Sequence, residues 1–263
     1  MDSMNPLEIR ERRSEAPNLR DRDFADQNNI SEAALVAAYV GATATRIEAH
    51  PDHIMAAAEQ LGEVMALTRT ASCVHEKVGM YENYHTGSHA AMVLTEDIDL
   101  RIFPRHWCHA FAVEKETDAG VQRSLQVFDA AGDAVHKIFL RPASTTDNWS
   151  AVKAAITVDN QSQVFDGAPR EPVAAAKSAP AKRDVLRKEW ARLTDTHQFL
   201  RLCSKLKMNR LGAYRIAGAP FVRPLAPQAA NQMLEAVQAA GLEIMLFVGN
   251  KGCIQLHTGP LET

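Results

Sequence analysis

The sequence predicts an α+β protein built as a tandem repeat, each copy being helices followed by a largely antiparallel sheet, with the second repeat incomplete. Three observations carry this. The segment Glu63-Val-Met-Ala-Leu67, followed by Cys73-Val74 and Gly79, returns as Glu243-Ile-Met-Leu-Phe247, followed by Cys253-Ile254 and Gly259, at a constant offset of 180 positions. Within each copy the apolar period changes from helical to alternating. Short turn-forming stretches such as Asp129-Ala-Ala-Gly-Asp133 join neighbouring strand-like segments, which makes hairpins the expected connection. After Gly79 the first copy continues through at least three strand-like segments to about Trp149, whereas four residues follow Gly259. The second copy is therefore expected to be truncated, and a site built between the halves to be incomplete.

The elements follow in order. Residues 1–18 are charged and contain prolines, and are expected to form a flexible arm. The first repeat is expected over 19–158. Its helices are Ser31–Tyr39, with Ser31 as N-cap and Gly41 as the stop, and His53–Leu61, ended by Gly62. Its strands are Val64–Leu67, Ala90–Leu94, Leu100–Phe103, His109–Glu114, Ser124–Phe128 and Val135–Leu140. Over 159–182 the composition turns to Pro, Ala, Gln, Gly and Ser, the signature of a linker. The second repeat, 183–263, opens with helix Arg183–Leu193. Thr194-Asp-Thr196 interrupts it, and a further helix runs to about Lys207 with Asp195 or Thr196 positioned to cap it. Helix Gln228–Ala240 ends at Gly241, and strands Glu243–Val248 and Cys253–His257 follow around a Gly249–Gly252 turn.

Composition bounds the function. With 263 residues, 46% hydrophobic, 23% charged and a formal charge of −3, this is an ordinary globular chain with no basic stripe to neutralise phosphates, so nucleic acid is not expected as a partner. No apolar run approaches the roughly 20 residues that cross a bilayer. The four cysteines form no CxxC pair and the first residues do not read as a secretory signal, which together predict reduced thiols and a cytoplasmic location.

Few residues stand out chemically. On a helix, His197 points away from the apolar stripe of Phe199, Leu202, Cys203 and Leu206 and into line with Arg201, Ser204 and Met208. That leaves a solvated surface histidine or a ligand or acid–base group. In Asp99-Leu-Arg-Ile-Phe103, alternation places Arg101 and Phe103 on one strand face and Leu100 and Ile102 on the other. A guanidinium beside a ring can hold an anion over an apolar surface, although an arginine on a wet strand face is also common. His106-Trp-Cys-His109 and His85-Thr-Gly-Ser-His89 lack the spacing of a closed zinc site. There is no Gly-rich phosphate loop and no GxSxG elbow.

Taken together, Leu61-Gly-Glu-Val-Met-Ala-Leu-Thr-Arg69, Val74-His-Glu-Lys77, Asp99-Leu-Arg-Ile-Phe103, Ser124-Leu-Gln-Val-Phe-Asp129, Ala134-Val-His-Lys-Ile138, Thr194-Asp-Thr-His-Gln-Phe199 and Phe247-Val-Gly-Asn-Lys-Gly-Cys-Ile-Gln-Leu-His-Thr-Gly-Pro260 resemble the hemin-degrading factor family, the HemS-type haem-utilisation proteins of Gram-negative bacteria. The resemblance runs from about Arg20 to the last residue. It implies two structural repeats holding one haem in a cleft, with His197 as the proximal ligand of the iron. It further implies Arg101 and Phe103 on the distal side, Arg210 as a propionate or rim contact and Phe247 as an apolar wall. These residue types suit haem chemistry, since imidazole is a common axial ligand and porphyrin faces need apolar cover.

The implied function is cytoplasmic haem binding in bacterial haem uptake and iron utilisation, carrying haem toward a haem oxygenase, with a haem importer as a further partner. A haem-degrading enzyme is the alternative. No flavin or nicotinamide motif is present, so electrons for degradation would come from outside the chain. A remnant without a specific haem site is a third reading. An edge strand left uncovered near Cys253–His257 would invite a homodimer or aggregation.

Overall fold

The structure is a computed structural model that describes residues 4–195 and 197–261. The described residues divide into two compact units, one running to Arg170 and including Glu243–Pro260, the other Glu171–Leu242 with Leu261. In the first unit lie α1 (Pro6–Glu15), α2 (Asp21–Gln27), α3 (Glu32–Ala37), β1 (Ala44–Ile47), α4 (Pro51–Glu59), β2 (Val64–Arg69), β3 (Val74–Gly79), β4 (Tyr84–His85), β5 (Ala91–Leu94), β6 (Asp99–Ile102), β7 (His109–Thr117), β8 (Gly120–Phe128), β9 (Ala134–Leu140) and α5 (Trp149–Ile156). The second unit holds α6 (Arg183–Trp190), α7 (Gln198–Lys205), α8 (Arg210–Ala217) and α9 (Ala229–Ala239). The chain then returns to the first unit as β10 (Glu243–Gly249) and β11 (Cys253–Pro260).

Local chemistry sets the helix ends. Ser31 caps α3 by accepting from the Ala34 backbone N–H, and Pro51 opens α4 behind His50. Gly62 and Gly241, just past α4 and α9, take φ of +68° and +61°, which glycine adopts without the Cβ clash that penalises other residues. Residues 1–18 depart from the expected flexible arm. Asn5 and Glu8 form a reciprocal capping box, and Ile9 is buried with Phe24, Leu35 and Ala38. A single buried apolar residue among charges leaves little periodic signal, which is why the pattern of the sequence does not reveal this helix.

Two antiparallel sheets make up the first unit, ordered β1-β7-β8-β9-β2-β3 and β10-β11-β6-β5-β4. The hairpin register carries the repeat. Val64 pairs with Gly79 and Arg69 with Val74 in one hairpin, and Ile244 pairs with Gly259 and Gly249 with Ile254 in the other, each position shifted by 180. β11 is not the expected uncovered edge. It is bonded to β10 on one side and to β6 on the other, so Cys253–Leu256 run beside Asp99–Ile102 and β10 is the end strand of that sheet.

The two sheets share a core in which Leu100, Ile102, Val93 and Cys253 meet Ala66, Leu125, Val127 and Ile138, all essentially inaccessible. Side chains of the Val, Leu and Ile type contribute about 1.5–3 kcal/mol each when buried. The Pro- and Ala-rich stretch after Ile156 forms no helix or strand until residue 180. Its first part is held to the first unit by Arg46, which donates to the carbonyls of Ser162 and Val164, and by the Arg170–Asp133 ion pair. Within the second unit Asn209 accepts from the Lys177 backbone N–H.

The second unit packs Leu186, Phe199, Leu202, Cys203, Leu206 and Met208 together. Met208, expected on the open side with His197, is instead buried. The helix stops at Lys205, and Lys207 at φ +59° redirects the chain, so the 100° spacing no longer applies beyond it.

Candidate functional site

Three of the residues singled out in the sequence fall in the first unit. Cross-strand pairing places Arg101 between Met92 and Ile254, and Asp99 between Leu94 and Leu256, whose neighbour on β10 is Phe247. Directly paired residues of an antiparallel sheet point to the same side. Arg101, Met92, Ile254, Leu256, Phe247 and Met245 therefore share one face of the five-stranded sheet, while Leu100, Ile102, Cys253 and Gln255 on the opposite face are completely buried. On the open face Phe247 is 56% and Met245 57% exposed.

Phe103 follows the end of β6, its backbone N–H donating to the Gly252 carbonyl at 2.9 Å, and is half-buried. The Arg101 guanidinium is an ion-pair partner of Asp99 on its own strand and also donates to the Leu100 carbonyl. The result is a sheet surface on which apolar side chains lie beside the Arg101–Asp99 pair, with His85, Thr258 and Glu243 toward its margins.

The other two, His197 and Arg210, fall in the second unit and line one cavity of about 630 Å³. His197 immediately precedes α7 and its side chain is 92% exposed. Arg210 starts α8, where Asn209 caps the helix by accepting from the Gly212 backbone N–H. The wall between them is aromatic: the Trp190 and Phe199 rings lie 4.3 Å apart, and Phe199 stacks on Tyr214 at 5.4 Å. Trp190 and Tyr214 do not stand out in the sequence. Their spacing on α6 and α8 reads as ordinary helix packing, and only the convergence of three helices turns them into a wall.

Asp195, expected from the sequence as a helix cap, does not cap α7, whose N-cap is His197 and which has no side-chain cap bond among the described residues; it makes a local turn just ahead of the helix. Its Oδ1 accepts the His197 backbone N–H at 2.7 Å and lies 2.7 Å from the ring Nδ1. The backbone bond, then the ring, holds the Asp195 carboxyl below the usual carboxylate range. Thr196, the other cap considered, lies outside the described residues.

Chemically, the exposed imidazole offers a nitrogen donor at the mouth of an aromatic cavity, with a guanidinium across it for an anionic group. The open sheet face offers apolar cover beside the Arg101–Asp99 pair. The imidazole, guanidinium and aromatic wall of the cavity suit a flat ligand bearing a metal centre and an anionic group. Among the described residues, no group of three or more His, Cys, Asp or Glu side chains is arranged to hold a bare metal ion.

Comparison with known proteins points to the same chemistry. A family model described as the haemin-degrading HemS.ChuX domain matches residues 29–156 and 207–263. The chain is 35% identical over 253 residues to the hemin transport protein HmuS of Yersinia pestis, covering 95% of this chain and 72% of that one. Among solved structures, the heme-binding protein PhuS of Pseudomonas aeruginosa with its ligand superposes with a TM-score of 0.89 at 39% identity, over 99% of this chain and 77% of that one. ChuS of Escherichia coli O157:H7, described as a heme degrading enzyme, superposes with a TM-score of 0.80 at 32% identity, over 96% of this chain and 74% of that one. A family model matched across most of the sequence, together with relatives of this identity and coverage, establishes that the chain belongs to the haemin-degrading HemS.ChuX domain family.

Proposed function

We propose that this chain binds one haem through His197 and carries it, in the cytoplasm, from a haem importer toward a haem oxygenase as part of bacterial haem uptake and iron utilisation. The observation that carries the reading is His197 itself: an exposed imidazole beside an aromatic cavity, its Nδ1 engaged by Asp195 and its Nε2 without a hydrogen-bond partner among the described residues. Haem iron, when bound, supplies the coordination site and any oxygen chemistry. The chain's residues do the rest. His197 would donate a nitrogen lone pair, Arg210 would offer a cation for a propionate, Phe103 and Phe247 would supply apolar cover, and Arg101 would supply a guanidinium for a ligand of the iron. The names of HmuS, a transport protein, and PhuS, a heme-binding protein, support the carrier role.

A second reading, haem degradation with electrons supplied from outside, is favoured by the likeness to ChuS. Hemin titration at the Soret band, on the intact chain and on His197→Ala, tests the haem site. A saturable one-to-one change that the variant loses is expected, and equal, non-saturating spectra would leave a folded chain without a specific site. Reduction of the loaded protein in air with catalase present separates the two roles, since a linear tetrapyrrole product appears for the enzyme and not for the carrier.

A further inference from the structure

We propose that Asp195 is the positioning residue of the haem ligand: its carboxylate selects the tautomer of His197 that protonates Nδ1, and so presents the Nε2 lone pair to the iron. The inference rests on the reading of His197 as that ligand. Its basis is the chemistry of the two groups. An ionised carboxylate can only accept hydrogen bonds, so the ring nitrogen 2.7 Å from Asp195 Oδ1 must be the donor, and the proton sits on Nδ1. The neutral ring then has its lone pair on Nε2, the nitrogen with no protein partner among the described residues.

The ring would otherwise be free to turn, because the side chain is almost fully exposed and stacks on no other ring among the described residues. The same Oδ1 accepts the His197 backbone N–H at 2.7 Å, so the carboxylate is held on the residue it orients. The Gln198 N–H bonds the Asp195 carbonyl at 3.2 Å, which closes the turn just ahead of α7. A carboxylate bonded to the far nitrogen of a metal-binding imidazole fixes the ring and raises its donor strength, and loss of such a partner commonly lowers metal affinity about 10- to 100-fold.

The first test needs no haem. In the haem-free chain, at a pH where the ring is neutral, ¹⁵N shifts of the His197 side chain are expected to show a protonated Nδ1 and an unprotonated Nε2, and Asp195→Ala is expected to mix the tautomers. A dominant Nε2–H form in the intact chain, or an unchanged tautomer in Asp195→Ala, would overturn the proposal. Hemin titration then reads the consequence. Asp195→Ala should bind about tenfold more weakly or worse, and Asp195→Asn, whose amide oxygen still accepts, should recover part of the loss.

In the reduced haem-loaded protein the iron–histidine stretching frequency should be lower in Asp195→Asn than in the intact chain, a signature that loss of the backbone turn bond alone would not produce; an unchanged frequency counts against the proposal. If His197→Ala binds hemin as the intact chain does, the haem-ligand reading fails, while the nitrogen shifts still report on the Asp195–His197 pair.

Discussion

His75 and Gln255, which occupy the same position in the two copies of the repeat, touch: the His75 Nδ1 lies 3.3 Å from the Gln255 carbonyl oxygen. The duplicated hairpins β2–β3 and β10–β11 therefore meet near equivalent positions. Gln255 is completely buried there, with its Nε2 donating to the Ala66 carbonyl at 3.3 Å and its Oε1 lacking a partner among the described residues. Replacing it by leucine removes one weak bond and one unpaired oxygen together, so Gln255→Leu is expected to change stability by no more than about 1 kcal/mol. Gln255→Glu buries a carboxylate and should cost several times that. Urea midpoints of the haem-free variants measure both, and a Glu variant as stable as the Leu variant would contradict this account of the hairpin junction.

Tyr81 and His136 form a buried chain with Thr68 and Cys253. The Tyr81 hydroxyl lies 2.5 Å from His136 Nε2, Thr68 Oγ1 lies 2.8 Å from Nδ1, and the Thr68 hydroxyl donates to Cys253 Sγ at 3.6 Å. One assignment satisfies every group: Tyr81 donates to Nε2, and Nδ1–H donates to Thr68. The ring is thus neutral, and burial lowers its pKa to about 3. The unfolded chain protonates this histidine near 6.5, so between these values the unfolded state binds more protons. Its contribution to stability is fully present above about pH 6.5 and is lost as pH falls toward 3, by up to roughly 1.4 kcal/mol per pH unit. Unfolding free energies of the haem-free chain measured down this range should slope more steeply than those of His136→Phe. Parallel slopes would show that His136 is not the group responsible.

Glu32 lies in the interior with two cations on one carboxylate. It pairs with Arg69, and with Lys137 at 2.9 Å. Glu32→Ala removes the carboxylate that contacts both cations, leaving only the more distant Asp21, Asp23, Asp26 and Asp133 to offset them, and is expected to destabilise the haem-free fold by about 3 kcal/mol. Chemical denaturation measures this directly. A loss below about 1 kcal/mol would mean that water reaches the cations once the carboxylate is gone.

On the open sheet face, Phe247 and Arg101 should separate binding from chemistry. Phe247→Ala is expected to weaken hemin binding about tenfold or more, since burying a phenylalanine contributes roughly 1.5–3 kcal/mol. Arg101→Ala should alter binding of exogenous ligands to the iron, and any product yield, more than hemin affinity itself. Equilibrium titration and ligand-exchange kinetics on the two variants check this. Equal losses of affinity in both would assign Arg101 to holding haem and not to the distal side.

What could be read in the sequence is what depends on neighbours along the chain. The 180-residue repeat, the alternation that puts Arg101 opposite Leu100 and Ile102 and the Ser31 cap follow from the 2-residue period and from residue chemistry, whereas His197, expected within the helix, precedes α7 and is exposed for that reason and not by the helical period. The Asp195–His197 contact spans only two residues, yet the sequence suggested a cap where the structure has a turn and a ring contact, because that geometry depends on the chain path before α7. The HemS-type family was likewise legible from motifs scattered along the chain, and the family model and relatives establish it. Alternation says which residues share a face but not which strand lies alongside. Only the tertiary structure decided that β11 pairs with β6, bringing Phe247 onto the same face as Arg101, and that Trp190, Phe199 and Tyr214 converge beside His197. Those pairings join residues far apart in sequence, and they are selected by burying Leu100, Ile102, Cys253 and Gln255 against the other sheet, a free-energy gain that no local period encodes.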